Sequence, residues 1–250
     1  MHNKIYIIGP VGSGKTTFAT KLSELYNIKY YELDKVSWDD ENGNIKRPEE
    51  EAQKIFKEIL KNKKWIIEDV GRDKFKQGRI DADIIYYIKL SRIKSYYRVT
   101  KRWIKQRLGK ERYNHPPVFS QWIYYISTVN SYYKKEKSKL KSLEEFKGKL
   151  KFVNSKDINN IINECELLNF KNILISNIDK IHTTKLGEER IKKNLSINDD
   201  VVIYLKGKIL DNRSIVYKEG KNYYCAIDNI KITINSYNYC IITAHIIKSK

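Results

Sequence analysis

The sequence predicts an α/β protein: a P-loop NTPase on a doubly wound parallel sheet, followed by a small C-terminal α+β domain of helices and then an antiparallel meander. Three observations predict it. Short apolar runs alternate with helical segments through the first 170 residues, the pattern of a parallel sheet covered on both faces. The stretch "GPVGSGKTT" lies between the first apolar run and the first helix. After Phe170 the pattern changes to helices and then strand pairs broken by turn residues.

Residues 4–8, "KIYII", read as a buried strand, and "KTTFATKLSELY" after the glycine-rich turn places Phe18, Leu22 and Leu25 at helical spacing. "KYYEL" reads as a second strand ending at Asp34. "RPEEEAQKIFKEILKN" follows as a helix with proline near its start and acids in its first turn, where the helix dipole favours them. "WIIEDV" and "ADIIYYIKL" supply a third and fourth strand. "KLKFVNS" supplies a fifth, leading into the helix "SKDINNIINECELL".

Between the fourth and fifth strands, a basic region at about 91–140 reads as two helices separated by "GKERYNHPPV", a candidate lid. Beyond Phe170, "TTKLGEERIKKNLSI" and "DDVVIYLKGKIL" read as helices. "SIVYKEGKNYYCAID" and "KITINSYNYCIITAHII" read as strand pairs turning at Glu219-Gly220, Asp228-Asn229 and Ser236 to Asn238. The expected domains are a nucleotide-binding domain over 1–170 and a small α+β domain over 178–250.

Composition narrows the functional classes. A chain of 250 residues with 41% hydrophobic and 12% aromatic content can bury a sizeable core. It contains no apolar run of the roughly 18–20 residues a membrane span needs. Its start passes directly into a motif instead of a signal peptide, so the expected location is the cytoplasm. Cys165, Cys225 and Cys240 are odd in number and widely spaced, which implies neither a disulfide framework nor a metal knuckle.

The formal charge is +19, and residues 91–151 carry 17 Lys and Arg against 4 Asp and Glu. Residues 1–90 carry 17 against 15. Such a field fits polyanions, whether nucleotides, nucleic acid or an anionic membrane surface, without choosing among them.

Gly9, Gly14, Lys15 and Thr16 satisfy G-x-x-x-x-G-K-[ST] between a strand and a helix, the context its mechanism requires. Gly9, Gly12, Ser13, Gly14 and Thr17 would wrap backbone N–H groups around phosphates, and Lys15 would reach the terminal ones. The Thr16 hydroxyl would coordinate Mg²⁺. The implied cofactors are ATP and Mg²⁺.

The stretches "GPVGSGKTTFATKLSELYNIKYYELDKVSWDD", "WIIEDVGR" and "DADIIYYIKLSR" leading to "YYRVTKRW" resemble small P-loop kinases of the adenylate-kinase-like kind. In particular they resemble bacterial proteins described as DNA topology modulation or flagellar-regulator related. The resemblance covers about residues 3–155. It departs at Asp69, where the family usually has glycine, and at "KLS", where it has Asp-x-Pro. The resemblance implies phosphoryl transfer to a nucleotide, nucleoside or other small acceptor.

Phosphoryl transfer needs positioning and charge neutralisation, hence cations and one or two carboxylates. Asp34 would lie near the phosphate loop, where similar kinases place an acid that touches the acceptor or acts as base; a helix or turn cap is the structural alternative. Glu68 and Asp69 end the third strand and are candidates to hold a magnesium water or to bind the acceptor, Glu68 as a catalytic residue. Strand alternation points only one of them into the cleft, and Asp69 is a candidate magnesium ligand through water.

Arg98 and Arg102 share a helix face where a lid helix of this kinase class places arginines on the transferring phosphate, with Arg107 and Arg112 beyond. Arg72 and Arg79 pair as readily with Asp73, Asp81 or Asp83 as with substrate. Tyr96, Tyr97, Trp103, Tyr113, Trp122, Tyr124 and Tyr125 among these cations suit base stacking, although burial against the sheet is the favoured reading.

The segments "IHTTKLGEERIKKNL" and "ITINSYNYCIITAH" resemble a small bacterial domain family without an assigned function, over about residues 181–247. The layout is also similar to that of small metal-independent ribonucleases. On that analogy His182, Arg190 and His245 are candidates for proton transfer and phosphate stabilisation. The second functional class is therefore a nucleic-acid-binding or ribonuclease-like effector, of toxin or defence type, whose P-loop domain acts as a nucleotide-dependent switch. A third is a P-loop regulator that binds ATP without an acceptor.

Overall fold

The structure, a computed structural model, describes residues 2–39, 45–111 and 118–247. Two compact units emerge, Met1–Asn160 and Ile161–Lys250. The first runs β1 (Lys4–Ile8), α1 (Lys15–Tyr26), β2 (Tyr30–Glu32) and α2 (Leu33–Ser37), then a ribbon of β3 (Trp38–Asp39) and β4 (Ile45–Lys46). Next come α3 (Glu49–Leu60), β5 (Trp65–Asp69), α4 (Lys76–Asp81) and β6 (Ile84–Ile88). Three helices, α5 (Arg92–Arg107), α6 (Phe119–Lys134) and α7 (Glu136–Leu143), precede β7 (Leu150–Val153). The division between the units falls inside α8 (Ser155–Ser176), short of the boundary expected near residue 170.

The sheet order is β2-β5-β1-β6-β7, all parallel. Every residue of β5 and β6 is buried, as expected of strands covered on both faces. Tyr6, Ile8, Phe56, Trp65, Ile67 and Ile85 anchor one side of the core. Parallel register sets Ile7 beside Glu68 and Ile8 beside Asp69, so the turn leaving β1 opens next to the two acids. In open α/β sheets, ligands gather at this carboxyl end.

Two elements differ from the sequence reading. The second strand stops at Glu32, and Asp34 lies in the first turn of α2, because Leu33 and Val36 are buried at helical spacing. The basic region forms three helices instead of two, α7 arising where Leu140 and Leu143 pack on the core. The proposed lid loop, with Arg112 and Tyr113, lies largely outside the described residues.

The second unit contains α9 (Lys185–Leu195), α10 (Val201–Leu210), β8 (Ile215–Glu219), β9 (Asn222–Ile227), β10 (Ile230–Asn235) and β11 (Ile241–Ile246). Its sheet is an antiparallel meander of order β11-β10-β9-β8. Thr184 caps α9 by accepting from Gly187 N at 3.1 Å, and Asp200 caps α10 by accepting from Ile203 N at 2.9 Å. Asp228 and Asn229 both have positive φ, 46° and 61°, which lets a two-residue turn match the twist of β9 and β10. Ile191, Leu205, Val216, Cys225, Ile232 and Ile241 fill the core.

Candidate functional site

The loop after β1 is shaped by its glycines. Gly12 and Gly14 have φ of 76° and 93°, a region closed to most side chains. A Cβ on Gly9 would stand 2.9 Å from Ser13 Oγ and 3.1 Å from Ile88 O, whereas one on Gly14 would meet nothing within 4 Å. Ser13 Oγ is buried with no hydrogen-bond partner, and Lys15 Nζ donates to Pro10 O at 3.1 Å. A loop with an orphaned buried hydroxyl, a lysine held back on the Pro10 carbonyl and open space at Gly14 fits a phosphate group.

Across the mouth, Thr16 Oγ1 stands 3.0 Å from both oxygens of Glu68, to which it donates. Thr17 is exposed in the same first turn of α1. Glu68 is 6% exposed. Burial pushes its carboxyl up to about 7, against the pull of Lys15 and with added repulsion from Glu32. Burial also draws the Lys15 ammonium below its usual value, with Glu68 the first charge opposing that shift.

Asp69 points the other way, as strand alternation requires. It accepts from Gly71 N at 2.9 Å, Arg72 N at 2.6 Å, Arg72 Nη1 at 2.7 Å and Tyr6 Oη at 3.4 Å. These contacts occupy the carboxylate as the organiser of the turn after β5, in place of the metal role expected from sequence. Arg72 Nη2 reaches Asp34, so one guanidinium ties β5 to α2. Arg79, 2% exposed, pairs with Asp73 and donates to Arg72 O at 3.1 Å. Lys139 of α7 donates to Val70 O, and burial draws its ammonium down to about 8.

α5 packs against the loop from outside. Ser95 Oγ donates to Val11 O, and Arg98 Nη1 donates to Gly12 O at 3.1 Å while its Nη2 donates to Ser155 Oγ at 3.1 Å. Arg98 therefore braces the loop's backbone. Arg102 turns outward to Glu111 at 3.2 Å, and Arg107 stacks over the Trp103 ring. Beside this brace lies a cavity of about 730 Å³, its lining including Lys89, Ser91, Lys94, Arg98, Asn154 and Ser155.

In the second unit the three candidate residues do not converge. His182 Nδ1 lies 2.9 Å from Lys180 O, and the residue bridges to Cys240 just before β11. His245, exposed, sits opposite Lys231 near the far end of that strand, about 13 Å along it. Arg190 is exposed on α9. Among the described residues, no group of three or more His, Cys, Asp or Glu could hold a metal.

The Arg72 bridge, the Ser95 contact and Lys139 were missed as site features. The first depends on strand pairing and the others on packing of distant helices, so no local pattern announces them.

Residues 5–114 match the family model described as an AAA domain, and residues 175–245 match one described as a protein of unknown function (DUF3781). No curated protein matches the chain. Among solved structures, the chain is similar to a gluconokinase from Sinorhizobium meliloti 1021, with 15% identity, covering 72% of this chain and 98% of that one, at a TM-score of 0.39. It is also similar to a shikimate kinase from Acinetobacter baumannii in complex with shikimate, with 14% identity, 68% and 94% coverage and a TM-score of 0.41. A shikimate kinase from Bacteroides thetaiotaomicron gives 10% identity, 67% and 98% coverage and a TM-score of 0.42. Likenesses at these scores carry no argument about substrate. The P-loop fold of the first unit rests on its own sheet order and loop. Among the described residues no helix is long and apolar enough to cross a membrane.

Proposed function

We propose that the first unit is an ATP-dependent phosphotransferase acting on a small hydroxyl-bearing acceptor. The observation that carries this reading is the Thr16 hydroxyl on buried Glu68, facing the loop that presents Lys15. A metal–nucleotide supplies the phosphoryl group and a counter-charge for it. Thr16 and Glu68 would hold that metal, Glu68 through its water, and Lys15 would leave Pro10 O for the terminal phosphates. Arg98 and Ser95 keep the loop in shape, and the adjoining cavity has room for the base and ribose.

The acceptor would enter beyond the terminal phosphate, between Glu68, Asp34 and Arg72. Asp34 would accept its hydroxyl proton, and Arg72, already fixed by Asp69, would hold Asp34 in place. Incubation with labelled ATP and a panel of nucleosides, nucleotides, sugars and hydroxy acids tests this. Transfer to at least one acceptor, lost in Lys15→Ala by a factor of about 100 or more, is expected; nucleotide binding without transfer to anything would leave a regulator in its place.

A further inference from the structure

The helix that braces the phosphate loop has a second face, and its pattern is inverted. α5 turns Ser95, Arg98 and Val99 toward the loop. Ile93, Tyr97, Ile104 and Leu108 point to solvent instead, Ile93 being 80% and Leu108 62% exposed. At helical pitch these four fall within an arc of about 60°, opposite Ser95 and Val99, and the row is about 22 Å long. A helix on a globular protein ordinarily turns such a stripe inward.

Exposed cations border the row, Lys101 and Lys105 on one side and Arg107 on the other, and α5 contains no acidic residue. The apolar surface continues at the helix end. Trp103 Nε1 donates to Val118 O at 3.1 Å, and the neighbouring Phe119, 59% exposed, stacks on Trp122 at 5.3 Å.

We infer that this face docks on an anionic lipid bilayer. An apolar row edged by cations, with tryptophan and phenylalanine at one end, suits a helix lying in the plane of the interface. Its isoleucines and leucine enter the headgroup boundary while Lys101, Lys105 and Arg107 meet lipid phosphates. Three of the four residues in the row are aliphatic, Tyr97 being the exception. Aliphatic side chains give bases nothing to stack on, which sets single-stranded nucleic acid behind lipid as the polyanion. Because the opposite face of α5 holds the phosphate loop, a docked helix would keep that loop about one helix diameter, 10 Å, from the lipid.

The test is co-sedimentation of the full chain with vesicles of phosphatidylglycerol and phosphatidylcholine, against phosphatidylcholine alone, with a single-stranded oligonucleotide as competitor. Binding to the anionic vesicles alone is expected. It should weaken about tenfold or more in Ile93→Ser combined with Leu108→Ser, and also in Lys101→Glu combined with Lys105→Glu, with melting temperatures unchanged. No binding to anionic vesicles would overturn the inference. So would undiminished binding by the apolar variant, or displacement from vesicles by the oligonucleotide at stoichiometric concentration.

Discussion

The two units bury apolar cores of similar make-up and treat charge differently. Among the described residues, the first buries the charged residues Glu68, Asp69 and Arg79 together with Ser13 and Ser95, whereas the buried polar residues of the second are Ser214 and Thr233. In the second unit Arg213, Lys208, Asp211 and Asp228 pair at the surface, where such bridges contribute little. Removing a carboxylate from water costs several kcal/mol unless its partners compensate. At Glu68 they compensate only in part, since its carboxyl is left near 7. A buried carboxylate left partly uncompensated is a feature that functional sites share, and it agrees with the reading proposed for the first unit.

The sharpest way to break this contrast is to delete a buried charge. Asp69→Ala leaves Arg72 and two backbone N–H groups without their acceptor, and urea denaturation should show a loss of about 3–5 kcal/mol. A loss under about 1 kcal/mol would mean the acid is not structural. In the other unit the comparable lesion is apolar: Ile232→Ala should cost about 2–5 kcal/mol. It should leave nucleotide affinity intact, and a parallel fall in MgATP affinity would contradict assigning the nucleotide site to the first unit alone.

A smaller effect concerns pH. Glu68 titrates near 4.5 unfolded and about 7 folded, so the folded state holds its proton more tightly between those values. Stability conferred by the protonated form is complete below about pH 4.5 and is lost as pH rises through 7, by at most about 3 kcal/mol. Glu68→Gln should flatten that slope; an unchanged slope would place the titration elsewhere. Smallest is Thr184→Ala, which removes the cap of α9 and should lower stability by about 1 kcal/mol without touching nucleotide binding.

The phosphate loop was legible because its spacing is local: Gly12, Gly14, Lys15 and Thr16 need only a strand before them and a helix after. That one of Glu68 and Asp69 faces the cleft followed from strand alternation, but which one depended on the pairing of β5 with β1. Asp34 was read as a strand end and lies on a helix, because Leu33 and Val36 find a core there. Lys139 comes from a helix some seventy residues past Asp69, too far in sequence to leave a pattern. His182 and His245 flank the same strand at opposite ends, a separation that spacing in sequence concealed. Of the rings expected to pack against the sheet, Tyr97 lies outside, because the inner side of α5 is taken by Ser95 and Arg98 on the loop.

The most direct measurement is calorimetric titration of MgATP at pH 7 in buffers of different ionisation enthalpy. If Glu68 becomes a carboxylate to hold the metal's water, binding should release about half a proton from this group. That release should disappear in Glu68→Gln. Failure to bind MgATP, or the same release from Glu68→Gln as from the native chain, would contradict the assignment of Thr16, Glu68 and Lys15 as a metal–nucleotide site.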